Sequence, residues 1–183
     1  TDLQKLAASY VHVHLKTPHS DTHAARKAAA YFKSGGPREP SAMAEYYRSR
    51  NMGFIVFTVD ETLSGMKRFT NDEVVEYAQK HADVAIPFAS INPMRGTGAV
   101  REARRLVAAG AIRGLKLHPN MMEFFANDRA AYPLYEVFAE AKLPVLFHTG
   151  HSGIGTGMRG GGGVRLKYGH PMPIDDVAVD FPD

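Results

Sequence analysis

His12 and His14 are two residues apart in the stretch Tyr10-Val11-His12-Val13-His14-Leu15. Side chains alternate between faces along a strand, so both imidazoles project to one side and Val11, Val13 and Leu15 to the other. Two neutral imidazoles one strand repeat apart make half of a metal site. The pair equally fits the wall of a polar pocket or a satisfied core, and the pair alone does not choose. Two later apolar runs end in related chemistry, one in Lys116-Leu117-His118 and one in His148. Lys116 and His118 again share a strand face. A lysine aimed into a site is unfavourable unless it is paired or used. It can bind a substrate carboxylate or, as a carbamate, bridge two metals. A lysine on an outer face, capping a neighbouring helix, is the plainer reading. Asp60 follows another apolar run, where an aspartate is either a substrate contact or a turn and cap residue.

The elements that must position these groups alternate. The near-continuous apolar run 54–59 fits a strand buried on both faces. A helix is expected from about Asn71 or Asp72 to His81. A third strand is expected over 84–91, weakened by Pro87, whose missing N–H suits a central strand poorly. Val100 to Ala109 reads as a helix with Gly110 as its C-terminal glycine. A fourth strand runs from Ile112 to His118. Pro133 opens a helix to about Ala141, and a fifth strand spans 144–148. Before these, 24–32 is helix-favouring, and Ser41 is placed as the N-cap of a helix over 42–50.

Strands thus begin near residues 10, 54, 84, 112 and 144, a mean step of about 34 residues, and strict β/α alternation argues for a parallel sheet. Two architectures share that pattern: a (β/α)8 barrel, and a complete open five-strand sheet of flavodoxin-like order. A closed eight-unit barrel takes roughly 250 residues, so 183 residues hold about five units. The stretch 174–183 reads as a short helix ending where a sixth strand is due. The barrel reading therefore expects a chain carrying about the first five βα units. In either architecture the site lies beyond the carboxyl ends of the strands, where His12, His14, Asp60, Lys116, His118 and His148 all fall.

Composition narrows the function classes. Hydrophobic residues make up 44% and charged residues 22%, which describes one folded domain over 1–183. The net charge of +3 is spread without a dominant block, so no nucleic-acid partner is expected. Cys is absent, which removes disulfides and thiolate zinc sites and leaves His, carboxylate or modified Lys as ligands. There is no recognisable signal peptide and no apolar run of bilayer length, so a cytoplasmic protein without membrane contact is expected. The loop after His148 carries His151, Arg159 and many glycines. It is neither a Rossmann fingerprint nor a P-loop. Its glycines permit close approach to a ligand, with Arg159, Arg165 and Lys167 available to an anionic group; a plain flexible loop is the alternative.

The first-strand stretch Tyr-Val-His-Val-His-Leu, the fourth-strand Gly114-Leu115-Lys116-Leu117-His118-Pro119 and the fifth-strand Leu143-Pro144-Val145-Leu146-Phe147-His148-Thr149-Gly150 resemble the amidohydrolase-related family. They resemble in particular its second branch, which holds aminocarboxymuconate-semialdehyde decarboxylase, resorcylate decarboxylases and pyrone-dicarboxylate hydrolase. The resemblance implies a distorted (β/α)8 barrel. It implies that His12, His14 and His148 are metal ligands, with zinc the expected divalent ion. Lys116 and His118 would be catalytic residues lining the pocket, and Asp60, His151 and Arg159 substrate contacts. It also implies a His after the sixth strand and an Asp after the eighth, positions this chain does not contain, and an acidic residue where Tyr10 stands. The expected function is a metal-dependent hydrolase acting on a small carboxylated or phenolic ring compound or its cleavage product, with a CoA thioester as a variant. Non-oxidative decarboxylation on the same scaffold is the first alternative. A non-catalytic open-sheet binding protein and a metal-free hydrolase are the others. The chain alone is expected to be inactive, and a homo-oligomer is expected because unpaired strand edges seek partners.

Overall fold

The computed structural model describes residues 40–61, 63, 69–151, 160 and 163–182. The strand predicted at 10–15 and the helix predicted at 24–32 lie outside these. The chain divides into two compact units, residues 1–52 with 152–164, and residues 53–151 with 165–183.

In the first unit, helix α1 spans Pro40–Arg48. It starts two residues earlier than predicted, which puts Ser41 inside the helix. A proline tolerates the first helical turn because the N–H it lacks would have no intrahelical partner there. The helix is closed by Asn51, whose φ of 53° is left-handed, a conformation asparagine accepts more readily than most residues.

The second unit alternates strand and helix. Its elements are β1 (Phe54–Val56), α2 (Asn71–Lys80), β2 (Ala85–Pro87), α3 (Thr97–Ala108), β3 (Leu115–Leu117), α4 (Pro119–Met122), α5 (Tyr132–Glu140), β4 (Val145–Phe147) and α6 (Met172–Asp180). Each strand is shorter than its predicted run. Helix α2 opens on a reciprocal capping box between Thr70 and Glu73, which satisfies two orphan N–H groups at once. Helix α3 buries Ala99, Ala103 and Leu106 on one stripe, the spacing of an amphipathic helix. Gly110, with φ of 60°, follows it as predicted.

The strands are parallel and pair in chain order. Phe54, Ile55 and Val56 register with Ala85, Ile86 and Pro87. Leu115, Lys116 and Leu117 register with Val145, Leu146 and Phe147. A single bridge, Ala89 to Leu115, joins the halves. A flavodoxin-like sheet would place the first strand between the second and third. Here the strand at 54–56 bonds directly to the strand at 85–87, so that order does not apply.

Pro87 explains the single bridge. Phe54 N donates to Val84 O at 2.8 Å and Phe88 N to Val56 O at 2.9 Å, so these bonds to β1 need no N–H from Pro87. Towards β3, Pro87 O accepts from Arg113 N at 2.8 Å, but proline has no N–H to return. The expected weakness thus falls on one neighbour, not on the strand itself. Gly114 completes the junction: a Cβ there would lie 2.5 Å from the Phe88 ring.

One sheet face is covered by helices. Ala89, Ile91, Leu115 and Leu117 pack there with Leu106 of α3 and Leu134, Val137 and Phe138 of α5, each at most 2% exposed. Alternation turns the other residues away from these helices. Ile55, Phe57, Ile86 and Leu146 are each about 40% exposed, and Lys116, His118 and His148 share their face.

Candidate active site at the strand ends

The parallel register builds the centre of the site. Lys116 stands beside Leu146, so one step of alternation further brings His118 beside His148. His148 N donates to Leu117 O at 2.9 Å, which locks that level. The two imidazoles stack with centroids 3.9 Å apart and planes 14° apart. Below His118 the backbone turns at once into α4, and His118 O accepts from Met121 N and Met122 N at 2.9 and 3.0 Å. The residue is therefore held at a strand end and a helix start together.

Lys116 is 7% exposed and His118 6%. Among the described residues Lys116 has no carboxylate partner; its Nζ lies 5.6 Å from the centre of the Phe57 ring, in cation–π range. Burial lowers the Lys116 ammonium from its usual range. Desolvation first, and then the neighbouring His148 and Lys116 charges, push His118 down to about 3. His148 is lowered by burial and then by Lys116, against a backbone hydrogen bond at His151. Both imidazoles are neutral near pH 7 and carry lone pairs.

Three buried side-chain atoms among the described residues lack a hydrogen-bond partner: His118 Nδ1, Asn120 Oδ1 and His148 Nε2. Buried polar atoms are almost always paired, so each such exception asks for a ligand, a water or a function. Here all three belong to one cluster.

The other predicted residues are placed differently. Asp60 follows β1 and its Oδ2 accepts from Asn92 N and Arg95 Nη1, both at 2.8 Å. Arg95 Nη2 reaches Glu102 Oε2 at 2.8 Å, and Asn71 Nδ2 reaches Glu102 Oε1 at 2.7 Å. His151 is exposed at the start of the glycine loop. His12, His14 and Arg159 lie outside the described residues. Asn120 belongs to the cluster and carried no sequence prediction. The available signal was its position two residues beyond His118, immediately after the strand. An apolar groove lined by Tyr135, Leu143, Val145, Phe147, Ile174 and Phe181 opens on the helix side of β4, away from the histidines.

Among the described residues no group of three or more His, Asp or Glu is arranged around a metal position. His148 nonetheless has the donor chemistry of a ligand: a neutral imidazole with a buried, unpartnered nitrogen. That fits a divalent ion, which binds the deprotonated ring nitrogen.

Comparison with known proteins agrees with this layout. An amidohydrolase family model matches residues 11–183. No curated protein sequence matches the chain. Among solved structures, an uncharacterised TIM-barrel protein of Bordetella bronchiseptica is similar at a TM-score of 0.64 and 19% identity, over 98% of this chain and 56% of that one. A 5-carboxyvanillate decarboxylase of Sphingomonas paucimobilis is similar at a TM-score of 0.53 and 13% identity, over 98% of this chain and 62% of that one. Both likenesses are of fold, and the chain spans less than two thirds of either protein. With the family match running through nearly its whole length, the chain belongs to the amidohydrolase family.

Proposed function

We propose that this chain carries the metal-binding and pocket-lining part of a (β/α)8-barrel enzyme in the second branch of the amidohydrolase-related family. The parallel strands in chain order support consecutive barrel staves, with 10–15 as the first and β1 to β4 as the second to fifth. The single observation that carries the reading is the stacked, neutral His118–His148 pair, with nitrogens that have no partner among the described residues, beside a buried Lys116 that has no carboxylate partner among them.

In this reading His12, His14 and His148 hold one divalent ion, zinc. Such an ion supplies Lewis-acid chemistry, acidifying a water or polarising a substrate oxygen. Lys116 holds the carboxylate or phenolate of the substrate, since a buried cation with no carboxylate beside it among the described residues gains most from an anion. His118 moves a proton at one ring nitrogen, as a neutral imidazole can near pH 7. The substrate is a small carboxylated or phenolic ring compound or its cleavage product. A CoA thioester would add contacts at Arg159, while Asp60 and His151 stand at the rim.

Hydrolysis is the first assignment. Decarboxylation is the second, favoured by the buried lysine beside an acid/base imidazole, a pairing that would grip a ring carboxylate next to a proton donor. The enzyme is proposed to be a cytoplasmic homo-oligomer. The 183-residue chain assayed alone is proposed to lack turnover.

Metal analysis of the full-length protein, purified without chelator, tests the reading. About one divalent ion per chain is expected, with metal and turnover both lost in His148→Ala. Full turnover at far below one ion per chain would overturn it in favour of a metal-free hydrolase. Turnover by the 183-residue chain alone would remove the inactivity claim.

A further inference from the structure

Phe57 follows β1 and stands one strand repeat beyond Ile55, on the face that carries Lys116. The Lys116 Nζ lies 5.6 Å from the centre of the Phe57 ring. The two residues differ sharply in exposure. Lys116 is 7% exposed and Phe57 39%, so the ring meets the ammonium and still leaves much of its own surface uncovered. A ring face compensates a buried ammonium less fully than an anion does.

Phe88 forms the floor between them. Its strand lies between those of Phe57 and Lys116, paired to β1 and bridged to Leu115 through Ala89. Phe88 is therefore level with Gly114, on the Lys116 face. A Cβ at Gly114 would lie 2.5 Å from the Phe88 ring, so that ring fills the place of a side chain one strand repeat before Lys116. Phe88 is itself 6% exposed. Lys116 thus rises beside a buried ring on one side and an open ring on the other.

A carboxylate bonded to Nζ at about 2.8 Å would hold an attached ring with its centre about 6 Å from Nζ. That is the same reach as the Phe57 ring. Two rings so held can meet at the roughly 4.5–7 Å separation of offset or edge-to-face pairs. We propose that Phe57 is a specificity-determining residue, the aromatic wall of a slot in which Lys116 takes the carboxylate of a ligand and Phe57 takes the face or edge of its planar ring. This rests on the reading of Lys116 as the group that holds the substrate's anion. The slot selects a flat aromatic acid over a saturated acid of the same size and charge, because only the flat ring pairs with Phe57.

Benzoate and cyclohexanecarboxylate are the probes, since both are anions at neutral pH and differ in the ring alone. Their affinities are measured by titration of the full-length protein, and any carboxylate contact common to both cancels in the ratio. The wild type is expected to bind benzoate about 2–10-fold more tightly, the worth of one aromatic pair. Phe57→Leu is expected to bring the ratio to about one by weakening benzoate, Phe57→Tyr to keep it, and Lys116→Met to weaken both acids alike. If Phe57→Leu does not fold, a nuclear Overhauser effect between benzoate and the Phe57 ring of the wild type, assigned through Phe57→Tyr, takes its place. Equal affinities in the wild type, no binding of either acid, an unchanged ratio in Phe57→Leu, or no effect between the rings overturns the proposal. The ratio does not depend on turnover. A ratio set by Phe57 in a protein with neither metal nor turnover supports the slot and overturns the enzyme reading. Metal-dependent turnover with equal affinities for the two acids does the reverse.

Discussion

Two polar clusters stand at carboxyl ends of the two strand pairs, and they differ in how completely they close. Beyond β1 and β2, Asp60, Arg95, Glu102, Asn71 and Ser90 interlock. Arg95 bridges Asp60 and Glu102 at 2.8 Å each. Asn71 donates to Ser90 O at 3.1 Å and accepts from Ser90 N at 2.8 Å. At the ends of β3 and β4, beside Lys116, the side chains of His118, Asn120 and His148 hold three buried atoms with no partner among the described residues. Position at a strand end is therefore not what marks a site. A cluster that satisfies itself stabilises the fold, and one that leaves buried groups open among the described residues is poised for a further partner.

The largest effect should separate the two clusters by turnover. His118→Asn in the full-length protein is expected to lower kcat by about 10²–10⁴, the usual contribution of a positioned acid or base. Asp60→Asn is expected to leave kcat little changed and to lower the denaturation midpoint, because it weakens the Arg95 pair. An equal loss of kcat in both variants would move Asp60 into the site as a substrate contact and erase the distinction.

The next effect is on stability against pH. His118 falls to about 3 and His148 is also lowered, against an unfolded value of about 6.5. Between those limits the unfolded chain binds more protons than the folded one, so stability rises with pH across that window. It is lost as pH falls from about 6.5 towards 3. Urea midpoints measured from pH 7 to pH 4 should drop steadily, and His118→Gln should flatten the slope. An unchanged slope in His118→Gln would mean that the imidazole is not desolvated.

Much of the scaffold was legible because its signals are local. Helix α3 and its glycine, the proline opening α5, and the apolar runs of the four strands are written within a dozen residues each. Lys116, His118 and His148 were legible from alternation at the strand ends. What failed depended on partners elsewhere. Ser41 resembles an N-cap, yet Pro40 already sits in the helix. Pro87 looked hostile to a strand because the sequence does not say which neighbour would miss its N–H. The Arg95 pair of Asp60 could not be read at all, because that cation is 35 residues on. Asn120 was passed over because its buried contacts are with Gly150 and Gly169, residues that mean nothing until the chain has folded.

The smallest effect sharpens the comparison from the satisfied side. The Arg95 side chain is 45% exposed and its partners Asp60 and Glu102 are 16% and 24% exposed. Water can replace much of what Arg95→Ala removes, so a loss of about 1 kcal/mol or less is expected. Salt should shrink the difference from wild type, because exposed pairs are screened at high ionic strength. Turnover should stay the same. A loss of about 3–5 kcal/mol, insensitive to salt, would instead describe a desolvated pair whose carboxylates were left stranded. The two clusters would then differ in partner supply and not in solvation. Under that result, the orphaned nitrogens at His118 and His148 would remain the feature that separates them.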